Sequence, residues 1–166
     1  MQRCLGVLVL AVSLGGCASG DPLSETQRAF LTARGRPLAF TIAFADRELD
    51  ASGMVVAAPE RRIDVWMYGG APTTRVTFDD GYFVEEASLS ATITGIPPTP
   101  SPGDFRHGMG RAEIEGVLGA PDRVETEALG SRSLEVLRWD TRPDVVSVAF
   151  VDGELTSVVA GLQVQP

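Results

Sequence analysis

The sequence contains no lysine: all fourteen of its basic residues are arginine, and 22 acidic residues outnumber them. The formal net charge of the 166-residue chain is therefore −8. Because nucleic-acid binding requires a basic surface that neutralises phosphates, this charge argues against a DNA- or RNA-binding protein. Hydrophobic residues make up 44% of the chain, which excludes intrinsic disorder and is enough for a globular core.

Cysteine and histidine are also scarce, with two cysteines and one histidine in the whole chain. A single His107 without neighbouring cysteines is a poor zinc site, so we expect no metal and no other cofactor. The carboxylate pairs Asp79-Asp80 and Glu85-Glu86 fall in predicted strands, where adjacent side chains point to opposite faces. Neither pair can converge on one substrate atom, and the sequence therefore predicts a protein that is not an enzyme.

The N-terminus has the features of a bacterial lipoprotein signal peptide. Arg3 supplies a positive charge, residues 5–14 are apolar, and Leu14-Gly15-Gly16-Cys17 resembles a lipobox. The apolar stretch is too short to span a bilayer but fits the core of a signal peptide. We predict a signal peptide over 1–16, cleavage between Gly16 and Cys17, lipidation of Cys17, and a polar tether over 17–23.

Lipidation of Cys17 predicts a chain anchored to membrane lipid. No aspartate follows Cys17, which favours the periplasmic face of the outer membrane by resemblance to enterobacterial sorting rules. Loss of 1–16, which include Arg3, would leave 150 residues with a formal net charge of −9. Cys4 lies in the predicted signal peptide, so no disulfide is available and the core must hold the fold.

A proline-rich segment divides the predicted mature chain. Residues 94–104 include four prolines, which predicts an extended linker over 94–103 between two halves, 24–93 and 104–166. Each half begins with a helical pattern: Ser24 to Gln27 fits a capping box before a helix to about Arg34, and residues 111–118 form the second helix.

Both halves continue with alternating strands and an Asp-Gly turn. Asp80-Gly81 and Asp152-Gly153 each separate two alternating runs, which is typical of a type I′ hairpin with positive φ at both positions. The sequence therefore predicts an α+β fold of two tandem units. Each unit would be a short helical segment followed by an antiparallel β-meander, with the helices packed on one face of the sheet.

The second half resembles the SmpA/OmlA (BamE-like) outer-membrane lipoprotein family. About 55 residues share its pattern of a Gly-Met pair, a short helix, Leu-Gly-x-Pro, an aromatic strand and a late hairpin. The ending is also similar to the β-lactamase-inhibitor-protein fold of two tandem copies. The motif residues that carry the resemblance are Gly108, Met109, Val117, Leu118, Gly119, Pro121, Trp139, Phe150 and Gly153. The resemblance implies a structural motif rather than a catalytic one.

A candidate binding surface lies on the strand at residues 62–68. Ile63, Val65 and Met67 form the more apolar alternate set, so we expect them to face the helices. Trp66 and Tyr68 would then lie on the other face with Arg62, which is the composition of a protein-binding hot spot. We also expect Arg75 opposite Glu86 across the hairpin. The alternative is that Trp66 and Tyr68 are covered and belong to the core.

Two functions remain open from the sequence. The first is an outer-membrane-anchored, non-catalytic protein-interaction module in envelope or β-barrel assembly and integrity, with an envelope protein as partner. The alternative is a periplasmic protein inhibitor of an enzyme that uses its sheet face or a loop such as Asp46-Arg47. A lipoprotein of this fold with an unrelated partner is as well supported as the first.

Overall fold

A computed structural model describes residues 22–45, 48–49, 55–56 and 61–161. Two α-helices, one short 3₁₀-helix and ten strands make up the described part of the chain. In chain order they are α1 (Glu25–Arg34), β1 (Ala39–Ala45), β2 (Glu48–Leu49), β3 (Val55–Val56), β4 (Arg61–Tyr68), β5 (Thr73–Asp79), β6 (Tyr82–Leu89), the 3₁₀-helix (Pro102–Asp104), α2 (Arg111–Leu118), β7 (Arg123–Leu129), β8 (Arg132–Trp139), β9 (Val146–Val151) and β10 (Glu154–Ala160).

Eight of the strands form one continuous antiparallel sheet in the order β6-β5-β4-β1-β10-β9-β8-β7, and β2 pairs with β3 separately. The first and last long strands meet at its centre, where Phe40 lies opposite Ala160 and Ile42 opposite Val158. The prediction of two tandem helix-plus-meander units is therefore wrong: the fold is mostly this single sheet, with α-helices of only 10 and 8 residues. The pairing of β1 with β10 joins residues about 120 positions apart, which no local pattern encodes.

Local signals in the sequence predicted the ends of α1 and the hairpin turns correctly. Ser24 caps α1: its Oγ accepts from the Gln27 backbone N–H, and the Gln27 side chain accepts from the Ser24 N–H. Both hairpin turns have positive φ at both central residues, with 46° and 79° at Asp80 and Gly81. The corresponding angles at Asp152 and Gly153 are 52° and 81°. Short-range hydrogen bonding and backbone sterics determine these features, so sequence alone suffices for them.

The core lies on one face of the sheet, which we call the covered face. Side chains from both helices and from the connection before α2 pack against the strands there, among them Phe30, Phe105 and Ile114. The buried strand residues of this face include Phe40, Ile42, Phe44, Trp66, Val76, Phe78, Leu137, Trp139, Val148, Phe150, Leu155 and Val158. Their alternation along each strand follows from the period of two in β structure. Val117, a motif residue of α2, is instead exposed at its surface.

The connection between β6 and α2 packs against the rest of the described protein. Pro98, Pro100 and Pro102 are buried. The Thr99 N–H donates to Asp144 Oδ2 at 2.7 Å, and Arg36 Nη2 donates to the carbonyls of Pro98, Thr99 and Pro100. Because proline carbonyls accept but proline nitrogens cannot donate, an arginine is a suitable partner for this segment.

Candidate functional site

The structure reverses the predicted orientation of β4. Trp66 is fully buried on the covered face and Tyr68 is nearly so, whereas Val65 and Met67 are half-buried on the opposite face. The Trp66 ring centroid lies 4.7 Å from that of Phe78. The expectation that Trp66 and Tyr68 lie exposed on the face away from the helices is therefore wrong. The alternation was correct, but the two large rings fill more core volume than the smaller apolar set does.

Arg62 is largely buried and forms hydrogen bonds within the protein instead of facing solvent. Its guanidinium makes a two-point contact with Asp64, at 2.7 Å from Nε to Oδ2 and 2.8 Å from Nη2 to Oδ1. It also donates to the carbonyls of Pro102 at 2.7 Å and Phe105 at 2.5 Å. Only 12% of the Arg62 side chain and none of the Asp64 side chain is exposed. A guanidinium bonded in this way holds the connection before α2 onto β4 and has little capacity left for a partner.

Of the predicted partner-binding residues Arg62, Trp66, Tyr68 and Arg75, Arg75 alone lies on the side of the sheet opposite the covered face. It is opposite Ala87, not Glu86, because a β-bulge at Thr77 and Phe78 shifts the register by one residue. Arg75 pairs instead with Glu85, at 2.5 Å between Nη2 and Oε1. Glu86 lies on the covered side and pairs with Arg34 of α1. The expected pair of Arg75 with Glu86 is therefore wrong, since one inserted residue reverses the faces beyond it.

The predicted structural-motif residues surround α2 and its neighbouring strands. Met109 is buried, and its Sδ accepts from the Arg106 N–H at 3.3 Å. Trp139 is buried and donates from Nε1 to the carbonyl of Gly119, the C-cap of α2, at 3.2 Å. The remaining motif positions lie in the core or at turns: Phe150 is buried, Gly108, Gly119 and Gly153 have positive φ, and Pro121 is half-buried in the turn after α2.

The opposite side of the sheet, which we call the open face, has no described helix on it. Its centre carries small or β-branched side chains that are half-buried among themselves, and Ala43 is exposed. Charged pairs flank this centre, with Arg75 and Glu85 on one side and Arg138 and Glu125 on the other. The registered open-face residues include Thr41, Ala43, Ile63, Val65, Met67, Arg75, Thr77, Val136, Arg138, Ser147, Ala149, Ser157 and Val159.

A pocket of about 670 Å³ lies at the end of the sheet where α1 finishes, between Arg34, Arg36 and Tyr68. Both arginines are already bonded, Arg34 to Glu86 at 3.0 and 2.9 Å and Arg36 to the proline-rich segment. The buried Tyr68 hydroxyl has no hydrogen-bond partner among the described residues. Burial raises the pKa of Tyr68 to about 12, and the charge of Arg34 offsets part of that rise. A neutral phenol with a pKa this high is not a general base at neutral pH.

Several predicted features lie outside the described residues, including Gly16, Cys17 and the Asp46-Arg47 loop. His107 is described, and its ring lies against that of Phe44 with centroids 5.6 Å apart. Among the described residues, no group of three or more His, Cys, Asp or Glu side chains could hold a metal ion. In the same part of the chain, none of the helices has the length and apolar character needed to cross a membrane.

Sequence analysis missed one exposed feature. Tyr82, Phe83 and Val84 follow the first hairpin turn, and their exposed fractions are 76%, 47% and 56%. Phe83 stands two residues after Gly81, as Leu155 does after Gly153, yet Leu155 is buried. Three consecutive apolar residues in one strand were the available signal, because an alternating strand of a covered sheet does not need them.

Comparisons of the chain with protein-family models, with curated protein sequences and with solved structures return no match. The resemblance to the SmpA/OmlA family therefore depends on the motif residues alone and stays a prediction.

Proposed function

We propose that this protein is an outer-membrane-anchored periplasmic lipoprotein that acts as a non-catalytic protein-interaction module in envelope or β-barrel assembly and integrity. The observation that carries the interaction role is the open face, which no helix of the described residues covers, on a sheet whose other side holds the core. The anchor depends on Leu14-Gly15-Gly16-Cys17.

The chemistry of the open face fits a folded protein partner. Its central residues Thr41, Val65 and Val159 lie directly opposite one another on adjacent strands and supply a shallow surface of methyl and hydroxyl groups. Such a surface lacks large side chains of its own, so its partner must supply the aromatic or long aliphatic anchors that dominate binding energy. The flanking Arg–Glu pairs match the polar rim of a protein interface.

A single substitution tests the open face. We expect Val65→Arg to place a long charged side chain in its centre and to weaken binding to the partner at least tenfold. Thr126→Arg, at an exposed position of the edge strand β7, is the matched control. The partner is identified by photo-crosslinking from residue 65 in cells, and its dissociation constant is then measured with both proteins purified. Equal affinity for the parent and Val65→Arg proteins, with the Val65→Arg protein folded by circular dichroism, would refute the proposal.

The same experiment separates the interaction module from the inhibitor. If the purified partner is an enzyme whose turnover falls on binding, the inhibitor hypothesis replaces the assembly role.

The lipid anchor has its own test. We expect Cys17→Ser to abolish acylation and to leave the chain unprocessed or released from membranes, as judged by intact mass and by fractionation. An unchanged mass and an unchanged membrane fraction would contradict the lipoprotein assignment.

A further inference from the structure

The exposed run Tyr82-Phe83-Val84 lies at the end of the sheet where the described chain begins. Ser24, the N-cap of α1, donates from its Oγ to the carbonyl of Gly81 at 2.6 Å, immediately before Tyr82. Pro22 lies at the same end, since its carbonyl accepts from Arg62 Nη1 at 3.4 Å, and the Arg62 carbonyl accepts from the Asp80 N–H at 2.7 Å. The first hairpin turn and the start of the described chain are therefore neighbours.

The chain between this end and Cys17 is short. Only residues 18–21 separate Cys17 from Pro22, and an extended chain covers at most about 3.6 Å per residue. The five steps from Cys17 to Pro22 therefore reach less than about 20 Å. The neighbouring strands β4 and β5 are eight and seven residues long, which corresponds to about 25 Å from one end of the sheet to the other.

We propose that this end of the sheet rests on the lipid surface, with Tyr82, Phe83 and Val84 entering the membrane interface beside the acylated Cys17. This inference depends on the lipid anchor of the proposed function. Tyrosine prefers the boundary between lipid and water, because its ring is apolar and its hydroxyl is polar. Phe83 lies on the opposite face of β6 from Tyr82, and its ring stacks on that of Phe30 with centroids 5.7 Å apart. Its exposed half and Val84 would still bury in lipid apolar surface that the folded chain leaves in water.

Charges at the same end are compatible with a headgroup layer. Arg61 and Arg106 line a small cavity with Pro22, and about half of each side chain is exposed. Long arginine side chains can keep their charge among headgroups while their stems contact apolar groups. Their carboxylate partners Asp79 and Glu113 neutralise these two arginines.

The two tyrosines of the chain provide a test without any label. Tyr82 is 76% exposed and Tyr68 is 9% exposed, so an enzyme-driven iodination in water should modify Tyr82 first. We expect Tyr82 of the acylated parent in phosphatidylcholine vesicles to be iodinated at least tenfold more slowly than Tyr82 of a Cys17→Ser protein that lacks residues 1–16 and therefore has no anchor. Equal rates, with the parent shown to sediment with vesicles, would overturn the inference and leave the anchor intact.

A pair of labelled variants tests the orientation independently. Tyr82→Cys and Thr94→Cys introduce thiols at opposite ends of the sheet, and Cys17 itself is acylated in the proposed protein. With a fluorophore on each thiol, we expect nitroxide-bearing lipid headgroups to quench residue 82 strongly and residue 94 weakly. Equal quenching, or stronger quenching at residue 94, would refute the orientation. Absence of acylation or of vesicle binding would instead refute the proposed function, and this inference with it.

Discussion

The two hairpin turns at Asp80-Gly81 and Asp152-Gly153 are alike in their local structure but differ in their surroundings. In both, the aspartate carboxylate accepts from a backbone N–H of the neighbouring strand, at 2.6 Å from Arg62 and 2.8 Å from Ser133. Yet the first hairpin ends in β6, an edge strand, and the second ends in β10, at the centre of the sheet. The same type of turn therefore occurs once at the edge and once at the centre of the sheet. Substitutions at equivalent positions of the two hairpins should lower the free energy of unfolding by different amounts.

The largest difference is expected at the residue two positions after each glycine. Leu155 is 1% exposed in β10, so Leu155→Ala should lower the free energy of unfolding by about 2–5 kcal/mol through loss of burial and the cavity left behind. Phe83 is 47% exposed in β6, so Phe83→Ala should lower it by only about 1–2 kcal/mol, although phenylalanine is larger. Urea denaturation of both variants measures the two values. A Phe83→Ala loss that equals or exceeds that of Leu155→Ala would contradict this comparison.

The next largest difference in stability is expected between alanine substitutions at the two turn glycines, Gly81 and Gly153. Gly153→Ala is expected to cost about 1–2 kcal/mol from left-handed backbone strain alone, because no atom lies within 4 Å of the added Cβ. Gly81→Ala should cost more, since its Cβ would lie 2.5 Å from the Ser24 Cβ and 2.8 Å from its Oγ. Thermal melts of both variants give the comparison.

A double variant isolates the role of Ser24 in that excess. In a Ser24→Gly background the clashing atoms are gone, so Gly81→Ala should cost no more than Gly153→Ala does in the parent. If the excess persists in that background, contact with Ser24 is not its cause.

Substitutions at the N-caps of α1 and α2 should change the free energy of unfolding by a smaller amount. Ser24→Ala is expected to destabilise the protein by about 0.5–2 kcal/mol, because it removes both the cap of α1 and the hydrogen bond to Gly81. The N-cap of α2 is Gly110, which has no side chain to cap the helix. Gly110→Ser should therefore stabilise by a few tenths of a kcal/mol. Chemical denaturation at pH 7 checks both, and destabilisation by Gly110→Ser would show that its extended backbone does not accept a serine cap.

The smallest expected effect is a pH dependence of the free energy of unfolding that arises from Asp144, in the segment before β9. Burial acts to raise the pKa of Asp144, but hydrogen bonds from Arg142 and the Thr99 N–H outweigh it and hold that pKa below its ordinary range. A depressed pKa in the folded state contributes stability above the unfolded value of about 3.9, and this stability is lost as the pH falls below it.

The difference between two proteins isolates that contribution. The lowered pKa values of Asp79, Glu113 and Asp122 act in the same direction, so the parent alone cannot report on Asp144. We expect the stability gap between the parent and Asp144→Asn, measured by urea denaturation from pH 7 to pH 3, to narrow as the pH falls. A gap that is constant across this range would contradict the assignment.

Sequence patterns were sufficient where a few neighbouring residues determine the structure. The Ser24 cap, the end of α1 at Arg34 and the two positive-φ turns all follow from local hydrogen bonds and sterics. The same reasoning failed at the bulge in β6, because an inserted residue changes the face of every side chain beyond it and leaves no distinct composition.

The sequence predicted the candidate binding surface less accurately than the hairpin turns. Trp66 and Tyr68 were predicted on the face away from the helices because Ile63, Val65 and Met67 form the more apolar alternate set, and alternation itself is symmetric between the two faces of a strand. Which face is covered depends on Phe30, Phe105 and Ile114, which come from segments remote from β4 in the chain. The exposed Tyr82 was also missed, since its exposure depends on β6 being the edge of the sheet.

By itself, the sequence determined the pattern of the local elements, the acidic charge and the lipobox-like N-terminus. The tertiary structure decided that β1 pairs with β10, that a single sheet results, and that one hairpin lies at its edge while the other lies at its centre. The physical reason is that turns and caps are stabilised by bonds within a few residues. Strand order and the covered face are instead set by the burial of apolar surface contributed from the whole chain.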